Sequence, residues 1–96
     1  MPPGPPTMMP MWIVELSLRD TPERLAARPA HRARLADLHE QGVVPLAGPF
    51  ADGTGSMMVF DVAGRDDVDR LLREDAYIAA DGVTILSVRE LTPVVG

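Results

Sequence analysis

The chain contains no cysteine and no lysine, and its aromatic residues are one tryptophan, one tyrosine and two phenylalanines. The missing cysteines exclude disulfides, thiolate metal sites and cysteine nucleophiles, and they fit a reducing cytoplasm. The missing lysines exclude Schiff-base chemistry on the protein. All nine basic residues are arginine, and fourteen acids against them leave a net charge of -5, the wrong sign for a nucleic-acid binder. No apolar run approaches the roughly 18 to 20 residues of a membrane helix, so no membrane span is expected. The opening Met1-Pro2-Pro3-Gly4-Pro5-Pro6 has neither a basic region nor an apolar stretch, so it does not read as a secretory signal. Phosphate-binding glycine loops, dinucleotide fingerprints and an H-E-x-x-H motif are absent, and no spacing of His and acids demands a metal. Neither a cofactor nor a metal is therefore expected.

What is present begins with proline. Five of the ten prolines lie in residues 1–10, which reads as a disordered tail of polyproline character, and Met8, Met9 and Met11 offer alternative starts. The remaining residues, 11–96, suffice for one domain near the lower size limit for a single apolar core, a limit that oligomerisation relieves. Trp12, Val14, Leu16 and Leu18 alternate as a strand over Met11 to Leu18. Thr21-Pro22-Glu23 then supplies an N-cap, a proline at the first helical position and a favourable acidic charge. Pro29 predicts a break at Arg28 and a second helical piece, with Ala33, Leu35, Ala36 and Leu38 inward and Gly42 as its stop.

Val43 to Leu46 and Ser56 to Val62 read as a hairpin around the Asp52-Gly53-Thr54-Gly55 turn. Asp66 or Asp67 caps a helix carrying Val68, Leu71 and Leu72, and Val83 to Leu91 alternates as a last strand. The order β-α-β-β-α-β predicts an α+β, ferredoxin-like sandwich: a four-stranded antiparallel sheet with two helical segments on one face. The other face carries Met11 and Ile13 and, by simple alternation, Thr84, Leu86 and Val88. It is too apolar to stay bare, so a homodimer closing sheet on sheet is expected.

His31 and Asp75 are the candidate catalytic residues. A histidine beside a carboxylate makes a general base with its orienting partner. The break at Pro29 places His31 in a first helical turn, where the dipole disfavours the imidazolium. Asp75 sits where the second helix ends, a position at which an acid opposes the dipole and gains nothing locally. Each residue also has a simpler reading, His31 as an exposed helix-end histidine and Asp75 as one of many solvated acids. Arg24, Arg28 and Arg32 recur every four residues and read first as a salt-bridged solvent face; alternatively Arg28 and Arg32 clamp an anionic ligand. Gly48, Pro49 and Ser56 are candidates to line the pocket, Tyr77 is read as packing, and His39 as a surface residue.

Several segments resemble the YciI-like, or YCII-related, proteins. They are Arg28-Pro29-Ala30-His31 with Ala33-Arg34-Leu35, Leu46-Ala47-Gly48-Pro49-Phe50, Thr54-Gly55-Ser56, and Asp75-Ala76-Tyr77-Ile78-Ala79-Ala80. The likeness covers essentially Met11 to Leu91. It implies a ferredoxin-like fold that dimerises into an α/β barrel, and a His-Asp active site matching His31 and Asp75. One related branch removes HCl from a chlorinated hydroxyquinone, so elimination is the nearest chemical precedent. Two features depart from the pattern: Ala76 stands where a proline usually follows the aspartate, and the loop from Pro49 to Thr54 is short.

The functional expectation is a small dimeric enzyme using His31 and Asp75 for lyase-like elimination, or hydrolysis, of a small anionic or aromatic molecule. The alternative is a noncatalytic anion-binding or protein-interaction module on the same scaffold.

Overall fold

The computed structural model describes residues 10–95, so the expected tail lies, apart from Pro10, outside the described residues. The elements are β1 (Met11–Leu18), α1 (Pro22–Glu40), β2 (Leu46–Pro49), β3 (Gly55–Asp61), α2 (Arg65–Arg73) and β4 (Val83–Leu91). The strands form one antiparallel sheet in the order β2-β3-β1-β4, giving the α+β ferredoxin-like arrangement. One sheet face supplies Val14, Leu16, Met58 and Phe60 to the core, where Leu38 of α1 and Val68, Leu71 and Leu72 of α2 meet them. Each side chain of this size adds about 1.5 to 3 kcal/mol when fully buried, before entropy is subtracted.

The predicted break at Arg28 does not occur. α1 runs unbroken for 19 residues with Pro29 inside it. Proline removes one hydrogen bond to the carbonyl four residues back, that of Leu25, and both Leu25 and Pro29 are exposed. Water can satisfy that carbonyl, so the helix tolerates the loss. His31 consequently sits mid-helix, and the expected N-terminal dipole effect on it does not apply. Leu38 is buried and Leu35 half-buried as expected, but Ala33 and Ala36 are exposed. The helix starts at the expected cap, with Thr21 Oγ1 accepting from the Arg24 N–H. It ends as Gly42, at φ +79°, adopts a left-handed conformation that suits glycine.

β2 lies three residues later than expected. The N–H groups of Val43 and Val44 both return to the Leu38 carbonyl, closing the helix end and leaving Leu46 to begin the pairing. α2 starts from Gly64 rather than Asp66 or Asp67. Asp67 instead reaches back from the third helical position to accept the Gly64 N–H.

The alternation in β4 changes parity at a bulge opposite Glu15 and Leu16. Val88 pairs with Val14 and Ile85 with Leu16, so Val88 belongs to the core face and not to the open face expected for it. On the open face the register aligns Leu46, Val59, Ile13 and Arg89 in one row and Met57, Glu15 and Ser87 in the next. Among the described residues no helix is long and apolar enough to cross a membrane.

If α1 is continuous through an exposed proline, Pro29→Ala restores a helical hydrogen bond. Urea denaturation should then show a gain of about 1 to 2 kcal/mol, the helix gain being offset by greater freedom of the unfolded chain. A loss of stability would contradict the continuous helix.

Candidate functional site

His31, the tenth residue of α1, points toward the segment that joins α2 to β4. There Asp75 Oδ2 lies 2.6 Å from His31 Nδ1. Both side chains are buried, with relative exposures of 8 % for His31 and 7 % for Asp75. An ionised carboxylate only accepts, so Nδ1 carries the proton and a neutral His31 keeps its lone pair on Nε2. That is the arrangement of a general base held by an orienting carboxylate.

Asp75 is itself held by its own side-chain turn, with Ala76 after it. Its Oδ1 accepts the backbone N–H of Tyr77 at 3.0 Å, and its carbonyl accepts the N–H of Ile78 at 3.1 Å. This side-chain turn fixes the carboxylate where Ala76 alone would leave the backbone free. Burial pushes the Asp75 carboxyl upward. The His31 hydrogen bond and charge, the Tyr77 N–H and the Arg34 charge outweigh it, and the net shift is below the ordinary carboxylate value.

His31 lies on the wall of a cavity of about 710 Å³ between α1 and the β2–β3 hairpin. Arg28, Arg32, Gly48, Pro49 and Ser56 line the same cavity, while Asp75 stands behind His31 and borders a shallower crevice with Leu72, Ile78 and Ile85. Among the described residues, neither Arg28 nor Arg32 lies within ion-pair distance of an acid. The simple reading of the arginine stripe as a salt-bridged face therefore fails for these two. His39 is exposed, donates to the Val44 carbonyl at 2.8 Å and reaches the cavity rim.

Two further residues belong to this site. Arg24, 6 % exposed, donates from Nε to the Arg19 carbonyl at 2.6 Å, from Nη1 to Tyr77 Oη at 2.9 Å, and from Nη2 to Asp20. The bonds to Tyr77 and Asp20 keep its guanidinium firmly charged against the cost of burial. The Tyr77 ring stacks on His31 with centroids 4.1 Å apart and planes 14° from parallel. Sequence reasoning placed Arg24 in the stripe and Tyr77 in the core. The available signal was spacing, since Arg24 precedes His31 by seven residues, two helical turns on one face. Among the described residues no group of three or more metal-ligating His, Cys, Asp or Glu side chains converges.

Sheet order, helix placement and the cleft define a ferredoxin-like domain with a buried histidine–carboxylate pair beside its cavity. The chain belongs to the YCII-related domain family, whose model matches residues 8–92. Comparison with curated proteins finds no match.

The depressed Asp75 pKa sets the sign of a pH effect. Its stabilisation is present above the unfolded value of 3.8 and is lost as pH falls through the lower folded value. Asp75→Asn should therefore cost about 2 kcal/mol in urea denaturation at neutral pH, a deficit that shrinks below pH 3.8. A deficit that persists unchanged in strong acid would show that the charge is not its source.

Proposed function

We propose that the chain is an enzyme in which His31 acts as general base on a small anionic molecule seated in the cavity. The observation that carries this is the buried Asp75 contact to Nδ1, which leaves Nε2 as the basic atom of a residue on the cavity wall. Asp75 orients the imidazole and stabilises the imidazolium that forms. Arg28 and Arg32, without acidic partners among the described residues, supply the anion-recognising charge, and apolar walls of Leu35, Val44 and Met58 suit an aromatic or aliphatic body. Elimination is the favoured reaction. Nε2 takes a proton from carbon, the C–H pair becomes a π bond, and the group on the adjacent carbon leaves with its electron pair. Hydrolysis through a His31-activated water is the second chemistry open to the same base.

The site sits in a homodimer on this reading. The open sheet face carries Leu46, Val59, Ile13 and Met57 across adjacent strands. Covering such a face is worth about 25 cal/mol per Å² of apolar surface removed from water.

A noncatalytic anion sensor is the competing reading, favoured by Arg28 and Arg32, which have no acidic partner among the described residues. A panel of small carboxylates and phenolates bearing halide leaving groups separates the two. Halide release by the parent protein should fall at least about a hundredfold in His31→Ala, as befits loss of a general base, with binding largely kept. Arg28→Ala should weaken binding instead. Ligands that bind with no release of halide or acid by the parent would leave the sensor.

The dimer has its own test. Light scattering should give twice the chain mass at micromolar concentration, and Ile13→Arg should give a folded monomer. A monomeric parent protein would remove the sheet-on-sheet assembly.

A further inference from the structure

The bond between Arg24 and Tyr77 has a direction. A guanidinium has five donors and no acceptor, so in the 2.9 Å contact the Tyr77 oxygen must accept. The phenolic proton is then not used in that bond, and among the described residues it meets no acceptor. Arg24 cannot easily leave, because its other nitrogens are engaged by the Arg19 carbonyl and by Asp20. The tyrosine ring cannot easily turn either, since it stacks on His31 and its own backbone N–H is bound to Asp75. Both Arg24 and Tyr77 line the cavity that His31 lines.

We propose that Tyr77 is a second catalytic residue of this site, donating its hydroxyl proton in a hydrogen bond to a carbonyl oxygen of the ligand, with Arg24 as the positioning residue that aims it. This rests on the reading of His31 as base and names the substrate class: an anion that carries a ketone or similar carbonyl next to the carbon that loses its proton. When His31 Nε2 removes that proton, the C–H pair becomes a carbon–carbon π bond and the carbonyl π pair moves onto oxygen. The developing enolate oxygen is where a preoriented donor is most useful, because the bond to it strengthens as charge builds. A buried cation behind the phenol favours the same charge. The stack of Tyr77 on His31 keeps donor and base in a fixed relation, so neither has to be ordered when the ligand arrives.

Two probes isolate the carbonyl: 4-acetylbenzoate and 4-ethylbenzoate share the carboxylate for Arg28 and Arg32 and differ in the ketone oxygen. The intact protein should bind the acetyl compound about tenfold more tightly, the size expected for one hydrogen bond to a neutral oxygen. It should also speed exchange of the acetyl methyl protons with D2O. Tyr77→Phe keeps the ring and should bind both probes alike, with exchange lost. Because Tyr77 is the only tyrosine in the chain, its 13Cζ resonance in the unmutated protein gives a variant-free check. That resonance should move with 4-acetylbenzoate and not with 4-ethylbenzoate.

A preference for the ketone that survives in Tyr77→Phe overturns the proposal, as does a parent protein that binds the two probes equally or binds neither. The Nδ1–H signal of His31 in 15N-histidine spectra distinguishes this failure from a deeper one. If that signal is present and bound to Asp75, the dyad stands and only the Tyr77 assignment falls. Its absence from the parent protein would remove the base on which the assignment rests.

Discussion

The contact between His31 and Asp75 ties residues 44 positions apart, joining the first crossover helix to the turn that feeds the last strand. Other polar contacts extend from it. Asp75 accepts the Tyr77 N–H, the Tyr77 ring lies on His31, its hydroxyl oxygen accepts a hydrogen bond from Arg24, and Arg24 donates to the Arg19 carbonyl just past β1. In a low-dielectric interior such a chain is costly if any member is unpaired, and it fixes geometry if all are paired. Replacing a buried ion pair by apolar residues is often neutral for stability. The chain is therefore better explained by the orientation it imposes on His31 and Tyr77 than by the free energy it contributes.

The same contacts explain why there is a cleft. Between its first turn and His39, α1 sends side-chain bonds to residues 71–77: Arg24 to Tyr77, His31 to Asp75 and Arg34 to the Leu71 carbonyl. Among the described residues it makes no such contact to β2, which is only four residues long. The cavity fills the space that this one-sided attachment leaves. A helix packed evenly over the core face would close the cavity. The opening is thus a consequence of where the polar residues of α1 fall, at Arg24, His31 and Arg34, spaced seven and three apart on adjoining faces.

Much of this was legible before the structure. Alternation in β1, the Thr21-Pro22 start and the Gly42 stop each encode a local rule, and local rules read directly from sequence. The His31 and Asp75 pairing was legible only through resemblance, because nothing local makes two residues in different elements meet. Three features resisted for different reasons. Pro29 breaks a helix by rule, but the lost bond faces water, and exposure is not visible in sequence. The bulge in β4 flips the face of Val88, and a bulge leaves no mark in a run of alternating residues. Arg24 looked like part of a charged stripe because periodicity shows which residues share a face and not what that face meets.

An acidic protein with a cationic cleft carries a consequence for selectivity. The net charge of -5 repels anions at a distance, yet Arg24, Arg28 and Arg32 line the cavity against the single acid Asp20. At physiological salt a charge is screened beyond about 8 Å, so these arginines, and not the distant acids, set the local charge of the cleft. Arginine also stays charged across the whole working pH range, where lysine in a buried site would not. The absence of lysine thus leaves the cationic side of the cleft made of arginine alone, whose charge does not vary with pH. On the proposed reading, anion recognition and base chemistry fall to different residue types, arginine and histidine, carried on one helix.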